Sequence, residues 1–185
     1  MKNISFFIIL FSIFCQSQNN YTSAELIEKS ELQYKNQLEN SIVKNIQFVN
    51  IGPSVMSGRV TDIEVNPKNS TEFYVAYASG GLWHTINNGT TFEPIMDNSI
   101  TQNIGDFAID WESKTIFVGT GESNSSRSSY PGIGVIKSTD NGKTWQNVGL
   151  RDSHHISRIL INPNDNLHIV VAVIGHLYSK NKERG

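Results

Sequence analysis

A single cysteine, Cys15, is all the thiol chemistry this chain of 185 residues offers, and it lies in a segment expected to be removed. The remaining chain would form no disulfide and run no thiol catalysis. Charge is equally sparse as a signal. The formal net charge is −2, the pI is near 6.2, and no run of like charges stands out. Nothing electrostatic points to nucleic acid. The longest apolar run, residues 4–14, falls short of the roughly 20 residues a membrane span requires. Phosphate-loop and dinucleotide fingerprints are missing: the GTGE stretch at 119–122 continues with Ser and Asn rather than Gly-Lys. The five histidines show no HExxH spacing, and no metal or cofactor is expected.

What the chain has in plenty is asparagine, twenty residues, which suits turn-rich β structure because Asn tolerates left-handed backbone geometry. Residues 1–17 read as a secretory signal: Lys2 gives the positive start, the apolar run follows, and Cys15-Gln16-Ser17 supplies small residues for cleavage. Cys15 also raises lipidation, but Phe14 stands where a lipobox requires a small residue. A secreted or cell-surface protein with no span after signal removal is expected. Residues 18–45 read as a helical leader, with Thr22 and Glu25 at capping-box spacing and Leu26, Leu32 and Leu38 recurring among charges. FVNIGP at 48–53 marks the boundary to the main domain, 46–185.

Beyond it, short apolar runs alternate with turns. VTDIEVNP (60–67), GDFAIDWE (105–112) and ISRILINP (156–163) share one pattern, placing Ile63/Val65, Phe107/Ile109 and Ile159/Ile161 on one face at period two. Each leads to a buried-looking strand: FYVAYA, TIFVGTG and HIVVAVI. GLWHT and GVIKS follow, and each runs into nearly the same phrase, HTINNGTTFE at 84–93 and KSTDNGKTWQ at 137–146, which a fourth strand, TTFEPI (90–95) or KTWQNV (143–148), leaves. The unit is four antiparallel strands over roughly 45–53 residues, the size of one propeller blade. The expected blades are about 58–97, 103–150 and 154–185, the last lacking its fourth strand. The expected fold class is all-β, an incomplete propeller belonging to a longer chain that supplies the remaining blades.

The repeated phrase S-x-D-x-G-x-T-W resembles the Asp box. Ser138, Asp140, Gly142 and Trp145 match it at every defining position. Thr85, Asn87, Gly89 and Phe92 match it with Asn for Asp and Phe for Trp. Asp140 is expected to staple the turn through backbone N–H groups two or three residues on, Gly142 to supply a positive φ, and Trp145 to anchor neighbouring blades. With IGPSVMSGRVTDIEVNP, YVAYASGGLWHT, FVGTGE and RSSYPGIGVIKSTDNGKTW, the region from about 46 to 185 resembles the BNR-repeat propellers of exported bacterial proteins labelled glycosyl hydrolases. These are related to the N-terminal propeller of sortilin. The resemblance implies a propeller but no single activity, since sialidases, xyloglucanases and sorting receptors share such boxes.

For hydrolysis, two carboxyls must face one bond about 5–9.5 Å apart. Related xyloglucanases carry an acid in a T-D-x-G-G turn, where this chain has Ala78-Ser79-Gly80-Gly81. Asp62 and Asp106, at equivalent places on first strands, are the candidate catalytic pair, with solvated channel or strand-end residues as the plainer reading. Arg59, Glu122 and Arg127 are the candidate ligand contacts; the last two lie in the insertion GESNSSRSSYPG, and a surface ion pair is their plainer reading. Asp152-Ser153-His154-His155 holds triad ingredients in a run too tight for triad geometry, and reads as a linking turn. The preferred function is a binding or scaffold module for a protein, peptide or glycan. The alternative is a glycoside hydrolase completed by further blades.

Overall fold

The computed structural model describes residues 22–46, 58–127, 129–178 and 180–185. The expected signal segment and the FVNIGP boundary lie outside the described residues. Among the described residues helix α1 (Ala24–Glu39) comes first, then ten strands in three sheets. The first sheet is β1 (Val60–Val65), β2 (Phe73–Tyr77), β3 (Gly81–Thr85) and β4 (Glu93–Pro94), paired antiparallel in chain order. The second repeats this order with β5 (Ile104–Asp110), β6 (Thr115–Thr120), β7 (Val135–Ser138) and β8 (Gln146–Gly149). The third holds β9 (Ile156–Asn162) and β10 (Asp165–Val173). Gly185 exchanges two backbone hydrogen bonds with Val173, laying the chain along the free edge of β10. These are propeller blades, two of four strands and a third begun.

The sheets stack through two apolar seams. Tyr74, Ala76 and Leu82 of the first sheet meet Phe107, Ile109, Ile116 and Val118 of the second. Ala108, Phe117 and Val135, on the opposite flank of the second sheet, meet Ile156 and Ile159 of the third. The middle sheet is thus covered on both flanks, and all of β6 is buried. The period-two faces differ accordingly. Phe107 and Ile159 are 1% exposed, whereas Ile63 and Val65 are about half exposed, because they point to the flank that no described sheet covers.

The repeated phrase forms the β3–β4 and β7–β8 turns. Asp140 Oδ1 accepts the Thr144 backbone N–H at 2.9 Å, and Oδ2 accepts the Thr144 hydroxyl at 2.6 Å. The staple therefore reaches four residues on, farther than expected. The shorter closure falls to Ser138, whose Oγ accepts the Gly142 N–H at 2.8 Å. Thr85 and Asn87 repeat both bonds, to Gly89 and Thr91. Gly89 and Gly142 take φ of +80° and +83°, where a side chain would be strained. Trp145 packs onto the seam between the first two sheets, and its indole N–H donates to Ile95 O at 3.1 Å. Phe92 instead meets Phe73 of its own sheet edge-on.

Two expectations at element ends are corrected. The outer strands expected at 90–95 and 143–148 begin later, at Glu93 and Gln146, because Thr91 and Thr144 are tied into the turns. The helix is capped by Ser23 rather than Thr22; the Ser23 hydroxyl accepts the Leu26 N–H.

Candidate functional site

In an antiparallel meander the connections alternate between two ends. The phrase turns and residues 66–72 and 111–114 lie at one end; residues 78–80, 95–103, 121–134 and 150–155 lie at the other, with Gly58 and Arg59 leading into β1. This loop end gathers most of the candidate residues.

Glu122 begins the long β6–β7 loop, and its side chain is fully buried. Arg59 Nε donates to its Oε1 at 2.7 Å, and Arg59 Nη2 pairs with its Oε2. Asn124 and the Ser129 hydroxyl add two more donors, at 3.2 and 3.1 Å. Burial alone would raise the Glu122 pKa; Arg59 and Ser129 outweigh it and hold the group ionised. The Glu122 carbonyl accepts the Nδ1–H of buried His155 at 2.7 Å. The Arg59–Glu122 pair thus ties the lead into the first sheet to the loop of the second, and that loop to the third. The expectation of a surface ion pair is corrected for Glu122: Arg59 is 44% exposed, its partner not at all.

The backbone meets closely here. Gly121 N donates to Asn103 O, Ile156 N donates to Gly121 O, and Gly132 N donates to His154 O. Gly121 has φ +87°, and a Cβ on it would lie 2.0 Å from His154 O. Beside this junction His154 packs against His176, with ring centroids 3.7 Å apart and ring planes tilted by 33°. Burial first, then its neighbours His176 and His155, depresses the His154 pKa. Burial does the same for His155. The run 151–155 starts with a 3-10 turn, Arg151–Ser153, and its groups bind outward: Arg151 forms a two-pronged pair with Glu31 of α1 at 3.0 and 3.2 Å, and Asp152 accepts the Ala24 N–H at the helix start. A groove of about 700 Å³ opens between α1 and the sheets, walled by Ile27, Tyr34, Leu38, Ile100 and Ile133.

Asp62 and Asp106 lie on the innermost strands, β1 and β5, and the fold brings their carboxyls together. Asp106 is 2% exposed, and its Oδ2 accepts the Ile159 N–H of β9 at 2.7 Å. Arg158 lies 3.6 Å from Oδ1. No N–H or hydroxyl of a described residue reaches Asp62 Oδ2, which is shut off from solvent. A proton on the Asp106 carboxyl would supply the missing donor. Burial pushes the Asp106 pKa up to about 7, with the Asp62 charge adding to it and the Ile159 N–H and Arg158 opposing. Glu64, two residues from Asp62, is also raised, mainly by burial. Asp106 is therefore not the solvated channel residue of the plainer expectation.

Arg127 stands apart. It is exposed and forms no hydrogen bond or ion pair among the described residues. Tyr130 (53% exposed) shares its loop, and Tyr178 (75% exposed) reaches that loop by donating to Ser126 O at 3.1 Å. Among the described residues no group of three His, Asp or Glu side chains is arranged to hold a metal ion, and no helix is long and apolar enough to cross a membrane. Sequence reasoning missed Arg158, Ser129 and Asn124, and placed His155 only in a linking turn. Arg158 was within reach: in the strand pattern it occupies the place that Asp62 and Asp106 hold in the first two sheets.

No family model and no curated protein matches the chain. Among solved structures it is similar to a GH74 enzyme of Niastella koreensis, with 24% identity and a TM-score of 0.47 over 60% of this chain and 16% of that one. An ancestral GH74 enzyme gives 16% identity and a TM-score of 0.49 over 62% of this chain and 16% of that one. The GH74 xyloglucanase of Xanthomonas campestris gives 16% and 0.38 over 56% and 16%. The chain spans about 16% of the length of these enzymes. The propeller assignment rests on the sheet topology above.

Proposed function

We propose that this chain is a binding or scaffold module, part of an exported propeller, whose loop end grips a peptide, protein or glycan. The observation that supports this reading is how the candidate acids are used. Glu122 is buried under four donors and kept ionised, so it has no proton to give as a general acid. Asp62 and Asp106 touch each other, whereas a glycosidase pair stands about 5–9.5 Å apart to admit a sugar bond. Arg127, Tyr130 and Tyr178 are exposed on the same end, and aromatic and guanidinium groups are the residue types that dominate recognition surfaces. The export reading comes from residues 1–17, and the Asp-box reading from the shared bonds of the two phrase turns. A glycoside hydrolase would have to draw its catalytic pair from other carboxyls.

The test is capture on glycan and peptide arrays by the intact chain and by Arg127→Ala, Tyr130→Ala and Tyr178→Ala. Loss of capture at unchanged melting temperature supports a loop-end site. Capture that survives all three substitutions contradicts it.

A further inference from the structure

The sequence contains two Asn-Gly pairs, Asn88-Gly89 and Asn141-Gly142, and both fall at the same place in the repeated turns. In this pair the glycine nitrogen, unhindered by a Cβ, is placed to attack the preceding side-chain amide. We propose that Asn88 is a site of spontaneous deamidation and that Asn141, its counterpart, is held against the same reaction by the neighbouring sheet. In the reaction the Gly89 nitrogen bonds to the Asn88 side-chain carbonyl carbon and closes a five-membered imide. The side-chain nitrogen leaves as ammonia with the proton lost by the Gly89 amide. Water then opens the imide to aspartate or isoaspartate.

The two turns are alike in the groups that would attack. Gly89 N donates to Thr85 Oγ1 at 3.0 Å, and Gly142 N donates to Ser138 Oγ at 2.8 Å. Asn88 and Asn141 share a left-handed backbone, with φ of 56° and 59°. The difference lies in the side chain that would be attacked and in its surroundings. Both asparagines are exposed, but the Asn88 side chain makes no hydrogen bond among the described residues. Asn141 Oδ1 accepts the hydroxyl of Tyr74, a fully buried residue of the first sheet. Gly142 is buried against Ile95, where a Cβ would lie 2.6 Å from the Ile95 carbonyl oxygen; a Cβ on Gly89 would meet only the rings of Phe92 and Phe73, at an ordinary 3.5 and 3.7 Å. The second turn is therefore wedged against the preceding sheet through Tyr74, Ile95 and Trp145, and closing the imide there means breaking that seat. The first turn has no such neighbour among the described residues.

The experiment is prolonged incubation of the intact chain in mildly alkaline buffer, followed by peptide mapping by mass spectrometry and an isoaspartyl methyl-acceptor assay. Acid product is expected at Asn88 while Asn141 stays an amide, and Asn88→Gln, which disfavours the five-membered ring, should remove the early product. Tyr74→Phe should raise the rate at Asn141 about two- to tenfold, the factor that corresponds to one hydrogen bond of about 0.5–1.5 kcal/mol, and leave Asn88 unchanged. Equal rates at the two sites in the unaltered chain, or no reaction at Asn88, would overturn the proposal whatever the variants do. Slower reaction at Asn141 in Tyr74→Phe would also overturn it, since the hydroxyl would then be activating the carbonyl rather than holding it.

Discussion

The carboxyls of Asp62 and Asp106, forty-four residues apart in the chain, meet on the innermost strands of two successive sheets. Arg158 takes the corresponding place in the third sheet and lies 3.6 Å from Asp106. With a proton kept on Asp106 the acid pair would join the first two sheets at their inner edges, while Asp106 reaches the third through the Ile159 N–H and Arg158. Like charges in contact cannot both ionise at small cost, so the proton is part of the fastening.

The pH dependence follows from Asp106. Its carboxyl keeps its proton to about pH 7 in the folded chain, whereas an unfolded aspartate loses it near pH 3.9. The folded state binds more protons between those values, so this group's stabilisation is full below the interval and is lost as pH rises through it. Asparagine can donate to Asp62 and never ionises. Denaturant titrations of Asp106→Asn should match the parent near pH 4 and exceed it near pH 8, with a ceiling of about 4 kcal/mol. Equal curves at both pH values would remove the shared proton.

Glu122 behaves in the opposite sense. Its pKa is depressed, so its stabilisation is present above the ordinary carboxylate range and is lost as pH falls through its folded value. Arg59→Met keeps the stem but leaves a buried carboxylate without its counter-ion. Its melting temperature at pH 7 should fall well below that of Arg127→Met, and the gap should narrow in acid. A similar small loss in both variants would make Arg59 an ordinary surface cation.

Gly121 is where three segments touch. Gly121→Ala should cost several kcal/mol or abolish folding, because its φ is positive and the new Cβ would strike His154 O. Gly149→Ala shares the positive φ but meets nothing within 4 Å, and should lose far less. Soluble yield and thermal melts of the two variants make the comparison.

Helix α1 has no buried residue and is held by few bonds. Arg151→Ala removes the two-pronged pair with Glu31, leaving the Asp152 cap and the Ile27 contact. Amide exchange across residues 24–39 should quicken while the strands keep their protection. Unchanged exchange in the helix would show that the apolar contact alone holds it.

The blade pattern was legible in the sequence because two signals coincide: alternation at period two in β1, β5 and β9, and a turn phrase that only one geometry satisfies. The ends of elements were less so. Thr22 and Ser23 are chemically equivalent caps, and only the backbone chose between them. The half-exposed Ile63 and the buried Phe107 carry the same pattern, because their burial depends on the sheet next door rather than on local sequence. The site was legible as residue types but not as partners. Asp62 and Asp106 stood out by their equivalent positions; that they touch depends on how the inner strands converge. Glu122 in a Ser/Gly-rich loop gave no hint that four donors would bury it.

The measurement that bears most directly on binding without hydrolysis is a paired assay on one preparation of the protein: retention on immobilised polysaccharides and peptides, and release of new reducing ends from the same polysaccharides. The account predicts retention of at least one ligand class with no reducing ends released, and the same retention for Asp62→Asn/Asp106→Asn at neutral pH. Reducing-end release that disappears in that double variant would contradict it and make the acid pair catalytic.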